Sequence, residues 1–136
     1  MNVLVDTCIW SLALRRHSPG TQVAYLEEFK ELISEARVRI IGPVRQEILS
    51  GIKSERQFEQ LKHHLAAFPD VPITTEDFEQ AAHFFNLARS QGIQGSNTDF
   101  LICAVATRRN LSIFTVDQDF EQFQRVLPIR LHGLRG

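Results

Sequence analysis

A chain of 136 residues with 43% apolar and 23% charged side chains has the size and composition of one globular domain over residues 1–136, long enough to bury an ordinary core. Its net charge of −1 supplies no global basic field for holding nucleic acid, and no Gly/Ser-rich, Pro-rich or single-sign block suggests a disordered appendage. Two unpatterned cysteines, Cys8 and Cys103, argue against a disulfide scaffold or thiolate metal site, an N-terminus without a basic region and long apolar core against a signal peptide, and the lack of any run near 18 apolar residues against a membrane span, so a cytoplasmic protein is expected.

Residues 2–5, Asn-Val-Leu-Val, form a short apolar run ending at Asp6, the pattern of a strand buried on both faces. Ile9, Trp10, Leu12 and Leu14 predict a short helix broken at Pro19-Gly20, and Val23, Leu26, Phe29, Leu32 and Ile33 fall at helical spacing within 22–36. Arg37 to Ile41 reads as the second strand. Gly42-Pro43 then opens a helix that closes at Gly51, because Pro suits a first turn and Gly the position beyond the last. A further helix over 54–67 stops at Phe68-Pro69-Asp70, and Val71-Pro72-Ile73 is at most a marginal edge strand, since Pro has no N–H to give. Thr75 is the expected N-cap of a helix reaching about Ser90, with Glu76 and Asp77 in its first turn. After a polar loop over 91–95, Ser96 caps a buried helix carrying Phe100, Leu101, Ala104 and Val105, which ends at Asn110. Leu111 to Thr115 is the next strand, a short helix begins at Asp117, and Ile129 to His132 is the last strand. Strands alternating with helices predict an α/β fold, a three-layer α/β/α sandwich with a central, mostly parallel sheet.

Four acids, Asp6, Glu47, Asp99 and Asp117, fall where a strand or loop passes into a helix. In open parallel sheets ligands collect at the carboxyl edge of the strands, so these four side chains are expected to converge there. Each has an ordinary explanation when taken singly. Asp6 suits an N-cap, as does either Asp117 or Asp119, Asp99 suits the first turn of a helix, where the dipole favours an anion by about 0.3–1 kcal/mol, and Glu47 suits an exposed helix face. The joint pattern is less ordinary, because clustered carboxylates repel by about 3 kcal/mol per pair near 5 Å at an effective dielectric of about 20. A divalent cation removes that conflict. Oxygen ligands without Cys or His suit Mg²⁺ or Mn²⁺, ions that activate water and neutralise a phosphoryl group.

Other chemistries lack their residues. Asp6-Thr7-Cys8 has no second Asp two positions on, as a haloacid-dehalogenase-like phosphatase requires, and with only Lys30, Lys53 and Lys62 no lysine follows a late strand, as a phospho-receiver requires. No Gly-rich P-loop is present. His63 and His64 are adjacent and cannot share a helix face as zinc ligands. Twelve of the fifteen basic residues are Arg, the side chain suited to bidentate phosphate contact, and Arg45, Arg108 and Arg109 are the candidates for it.

The segments Val5-Asp6-Thr7-Cys8-Ile9-Trp10, Glu47-Ile48-Leu49-Ser50-Gly51, Asn97-Thr98-Asp99-Phe100-Leu101-Ile102-Cys103-Ala104 and Phe114-Thr115-Val116-Asp117-Gln118-Asp119-Phe120 resemble the PIN-domain family, in particular the VapC-type toxin ribonucleases of toxin–antitoxin pairs. The resemblance implies Asp6, Glu47, Asp99 and Asp117 as the catalytic acids, with Asp6, Asp99 and Asp117 holding Mg²⁺ or Mn²⁺. Thr115 would support the fourth acid, and Asp119 is the alternative for that place. Cys8 stands where similar chains often carry Ser, Thr or Asn. The implied activity is an endoribonuclease that cuts RNA phosphodiesters with metal-activated water, and the implied partners are a second copy and a small antitoxin. The same residues also admit a non-catalytic module whose acidic pocket receives a partner's basic side chains, and a nuclease acting on DNA, on structured substrates or in RNA processing.

Overall fold

The computed structural model describes residues 1–14 and 20–135. The break expected at Pro19-Gly20 and the side chain of His17 therefore lie wholly or partly outside the described residues. The elements run β1 (Val3–Val5), α1 (Thr7–Leu14), a 3₁₀ turn (Gly20–Gln22), α2 (Val23–Ser34), β2 (Val38–Arg39), α3 (Gly42–Leu49), α4 (Glu55–Leu65), α5 (Thr75–Ser90), α6 (Asn97–Arg109), β3 (Ser112–Phe114) and α7 (Asp119–Val126).

The sheet is parallel with strand order β2-β1-β3, Val3 lying opposite both Val38 and Ser112. β1 is therefore hydrogen-bonded on both sides, and all three of its side chains are fully buried, as its uninterrupted apolar run requires. The crossover from β1 to β2 steps one way and that from β2 to β3 steps back, so right-handed connections place their helices on opposite faces. The result is the expected α/β/α layering.

The strands are shorter than the apolar runs that announce them. Leu111 and Thr115 flank β3 rather than extend it, and Ile129–His132 contributes a single parallel bridge, Leu131 with Ile113. Beyond that bridge the chain is drawn toward α2, where His132 Nε2 lies 2.5 Å from Glu28 Oε2 and Arg135 donates to the same oxygen at 2.7 Å. At the other edge the Val71 amide reaches Ile40 in an isolated bridge at Asp70, and Pro72 follows directly.

On one side Trp10 organises the packing. Its indole donates to Val5 O at 3.2 Å, while its ring meets Phe29 and Phe68 edge-on at 5.0 Å each. On the other, Phe85, Phe100, Phe123 and Phe120 form a ladder of ring contacts at 4.9–5.5 Å that joins α5, α6 and α7. α6 lies between α5 and the sheet, and seven consecutive residues from Phe100 to Ala106 are buried. A helix apolar on every side is suited to that position.

Helix ends follow local chemistry, with the start of α5 corrected by one residue. The N-cap of α5 is Thr74, not Thr75: its extended backbone lets Oγ1 accept from Asp77 N while Asp77 Oδ2 accepts from Thr74 N at 2.9 Å. This capping box needs a spacing of three, which only Thr74 offers to Asp77. Gly51, at φ +86°, occupies the left-handed position after α3 as expected. Gly95 serves a different purpose, because a Cβ there would stand 2.5 Å from Phe123 Cζ and 3.0 Å from a ring atom of Phe100. The bare backbone lets the entry to α6 close against α7. Gly95→Ala should therefore cost about 1–3 kcal/mol in urea unfolding through overpacking.

Asp77, 1% exposed, also takes a bidentate ion pair from Arg108 at 2.5 and 2.7 Å, stapling α5 to the far end of α6. The Arg108 guanidinium, together with the backbone of Thr74, holds the Asp77 carboxyl below its ordinary value of 3.8. That contribution is present above the ordinary value and is lost as pH falls through the depressed one. Arg108→Ala should lower stability by about 2–3 kcal/mol at neutral pH and flatten the acid limb of the stability–pH curve, both read by urea unfolding at several pH values.

Candidate acidic site at the carboxyl edge of the sheet

The end of β1 sets the site. Asp6 N donates to Phe114 O at 3.0 Å, so the chain is still pinned to β3 as it leaves the sheet. The Asp6 side chain turns over the edge and is only 7% exposed. Its Oδ1 accepts from Thr7 N at 2.8 Å, and its Oδ2 accepts from the Thr115 hydroxyl at 2.8 Å and, more weakly, from the Cys8 thiol at 3.4 Å. Thr115 Oγ1 in turn accepts from Asp117 N at 2.9 Å, and Asp117 Oδ1 accepts from Asp119 N at 2.9 Å. A single chain of hydrogen bonds thus runs from β1 through the end of β3 into α7.

Asp99 enters from α6. In a capping box with Ser96 its Oδ2 accepts from Ser96 N at 3.0 Å while its own amide donates to Ser96 Oγ at 3.1 Å. The cap makes the side chain rigid and leaves its charge in place. Burial raises the Asp99 carboxyl above its ordinary value, and the charges of Asp117 and then Asp119 push the same way, against the Ser96 hydrogen bonds. Burial likewise raises Asp6, with a smaller push from Asp99 and opposition from the bonds to Thr115, Cys8 and Thr7. Asp6, Asp99, Asp117 and Asp119 therefore share one electrostatic neighbourhood.

Glu47 is not among the charges named as acting on Asp6 or Asp99. It is exposed on α3, between the buried Val44 and Ile48, and borders a hollow of about 440 Å³ with Thr7, Pro43 and Thr98, neighbours in sequence of Asp6 and Asp99. The fourth place is divided differently from expectation. α7 starts at Asp119 rather than Asp117, its N-cap is Gln118 without a side-chain bond, and the oxygen that closes the first turn belongs to Asp117. Asp117 nevertheless exerts the larger influence on Asp99, ahead of Asp119.

The two thiols face the same region. Burial, then the charge of Asp6, pushes Cys8 up to about 11, and burial with the charges of Asp99 and Asp6 pushes Cys103 higher still. Both remain thiols at neutral pH, so the donor set is carboxylate and hydroxyl oxygen. Its chemistry fits a hard divalent cation. None of the ion pairs among the described residues engages Asp6, Asp99, Asp117 or Asp119. Equally, no group of three or more His, Cys, Asp or Glu among the described residues is gathered in a way that could hold a metal ion.

The family profile described as PIN domain matches residues 3–126, which include every member of this cluster. The chain belongs to the PIN-domain family. No curated protein matches it. Similar solved structures include FitAcB from Neisseria gonorrhoeae, at 18% identity, TM-score 0.76 and 96% of each chain covered. VapBC2 from Rickettsia felis, bound to a DNA fragment from their promoter, matches at 20% identity and TM-score 0.76 over 97% of this chain and 98% of that one. A toxin–antitoxin complex from Klebsiella pneumoniae matches at 21% identity and TM-score 0.63, with 88% and 90% covered. At these identities the likeness is one of fold.

Two of the three arginines expected at phosphate are engaged in holding this PIN domain together. Arg45 donates to Asp70 at 3.0 Å, to Leu65 O at 2.9 Å and to Phe68 O, closing the carbonyl end of α4, and Arg108 binds Asp77. Arg109 is exposed in the last turn of α6, the end opposite Asp99. The sequence reading missed Thr7 and Thr98, which border the Glu47 hollow, and the signal for both was adjacency to an acid. It also missed Glu28, buried at 6%, whose spacing of four from Leu32 marks the inner face of α2.

A carboxyl whose pKa is raised on folding opposes stability once pH exceeds its ordinary value, here 3.8. Asp6→Asn removes the charge and keeps the Oδ1 acceptor for Thr7 N, while its Nδ2 replaces Oδ2 and can donate to the Thr115 hydroxyl oxygen. Its unfolding free energy at neutral pH should equal or exceed that of the wild type, and a loss above about 1 kcal/mol in urea unfolding would contradict this electrostatic account.

Proposed function

We propose that the chain is a Mg²⁺- or Mn²⁺-dependent endoribonuclease, the toxin of a toxin–antitoxin pair, acting in the cytoplasm as a homodimer silenced by its antitoxin. The observation that carries this reading is Asp6. It is a carboxylate 7% exposed, raised in pKa, without a cationic partner among the described residues and in the field of Asp99. Such a group is unfavourable unless a cation joins it. The PIN-domain match and the similar toxin–antitoxin complex favour a nuclease toxin, and no helix among the described residues is long and apolar enough to cross a membrane.

In this reading Asp6, Asp99 and Asp117 would hold the ion, which when bound would supply charge neutralisation and an acidified water for attack on the phosphodiester. Thr115 keeps Asp6 and the start of α7 in register by donating to one and accepting from the other. Asp99, held by its capping box, contributes its charge without rotamer freedom. Glu47, exposed across the hollow from Thr7 and Thr98, meets the substrate side and can take up a proton, with Asp119 as the alternative there. Arg109 remains the candidate phosphate contact. The second reading, an acidic pocket that receives a partner's basic side chain, is favoured by the absence of a gathered three-ligand set among the described residues.

The two readings separate experimentally. Purified protein should cleave single-stranded RNA in Mg²⁺ or Mn²⁺, stop when the ion is chelated, and leave the DNA of the same sequence intact. Asp6→Ala and Asp99→Ala should remove cleavage, and Thr115→Val should reduce it by about 10–100-fold, the usual cost of losing a group that orients a ligand. An undiminished rate in either alanine variant refutes the assignment. Stability gives an independent readout: Mn²⁺ at ten times its Kd should raise the unfolding free energy by about 1.4 kcal/mol in the wild type and by much less in Asp6→Asn.

A further inference from the structure

A hollow of about 230 Å³ adjoins the acidic cluster, bordered by Tyr25 of α2, Thr115 and Asp117 beyond β3, Glu121 of α7, and Leu131 and His132 of the C-terminal segment. Its walls are fixed by the fold. Ile113 N donates to Arg130 O and His132 N to Ile113 O, both at 2.8 Å, which ties the C-terminal segment to β3. The His132 ring stands edge-on to Phe114 at 5.4 Å, and its Nε2 is held 2.5 Å from Glu28 Oε2. Tyr25, the one tyrosine of the chain, lies against the same Phe114 with ring centroids 6.0 Å and planes 31° apart. Phe114 therefore positions both rings that border the hollow. Glu121 is exposed and takes part in no ion pair among the described residues. The hollow is smaller than the about 300–1,000 Å³ of a site for a drug-sized ligand, and it suits a single flat ring system.

We propose that this hollow receives one unstacked guanine of the RNA substrate, with Tyr25 against the base and Glu121 accepting from its N1–H and N2–H groups. An aromatic ring beside a hydrogen-bonding group is the usual means of holding a base of single-stranded RNA. The charges of Asp117 and Glu121 repel a phosphate, so a neutral base can enter where the RNA backbone cannot. An ionised carboxylate only accepts hydrogen bonds, and guanine alone among the four bases offers two adjacent donors on its Watson–Crick edge. Adenine and cytosine set a ring acceptor beside their amino group, and uracil flanks its N3–H with two carbonyls. Each of these turns a lone pair toward the carboxylate and is disfavoured. Because Thr115 and Asp117 belong both to the hollow and to the acidic cluster, a guanine lodged there brings an adjoining phosphodiester to the cluster. The chain then cuts RNA next to guanine.

This base preference rests on the ribonuclease reading, and nucleoside binding, which needs no cleavage, separates failure of one from failure of the other. Titrated into the wild type and followed by amide NMR, guanosine should shift the Glu121 and Leu131 signals and bind about tenfold or more tighter than adenosine, cytidine or uridine. On an RNA containing every dinucleotide, cleavage should fall next to guanine. Inosine, which lacks the 2-amino donor, should lose about tenfold in kcat/KM at the same positions. Glu121→Gln should keep cleavage but abolish the guanine preference in both measurements. Tyr25→Ala should raise KM about tenfold by removing the ring, whereas Tyr25→Phe should not. The inference is overturned by equal binding of the four nucleosides, the outcome expected if the hollow receives a partner's cationic side chain, by cleavage without guanine preference, or by a preference that survives Glu121→Gln. A wild type that binds guanosine selectively yet cleaves no RNA supports the guanine site and overturns the ribonuclease reading.

Discussion

Everything at the acidic site depends on the parallel pairing of β1 with β3. The last residue of β1, Val5, lies opposite Phe114, and the next amide, Asp6 N, still bonds to Phe114 O. The chain therefore cannot turn away until Asp6 has been carried to the edge beside Thr115. Since side chains alternate between faces along a strand, a slip of one residue would exchange what each strand presents at that edge. The register that buries Val3, Leu4 and Val5 is thus also the register that places a carboxylate where water cannot fully solvate it.

Among the described residues, no ion pair neutralises this arrangement. Arg45 and Arg108, the most firmly bound guanidinium groups near α3 and α6, pair with Asp70 and Asp77, away from the cluster. Glu28, also buried, receives Arg135 and His132. Glu28 and Asp77 are given cationic partners, whereas among the described residues Asp6 receives hydroxyl, thiol and amide donors. Stability comes instead from apolar packing: Trp10 wedged between Phe29 and Phe68, and the rings that link α5, α6 and α7. Asp99 combines both tasks, since the capping box that opens α6 also fixes the direction of its charge.

Where local chemistry decides an outcome, the residues themselves disclose it. Ser96 as the cap of α6, Gly51 beyond α3, Pro43 in the first turn and the apolar run of β1 each act through neighbours a few positions away. Shifts of a residue or two occurred where two local solutions compete, as between Thr74 and Thr75, or between Asp117 and Asp119. The arginines were less legible. A guanidinium near a cleft looks the same in sequence whether it meets a phosphate or, as for Arg108, a carboxylate thirty-one positions away.

The sequence by itself determined the alternation of strands and helices, and with it an α/β fold whose strand ends carry acids, because hydrophobic period, caps and turn residues act over short range. Only the tertiary structure decided that Asp6 and Asp99 are raised by burial, that Glu47 borders a hollow with Thr7 and Thr98, and that Arg45 and Arg108 hold helices together. Those outcomes depend on desolvation and on partners distant in the chain, and both quantities arise only once the chain has packed.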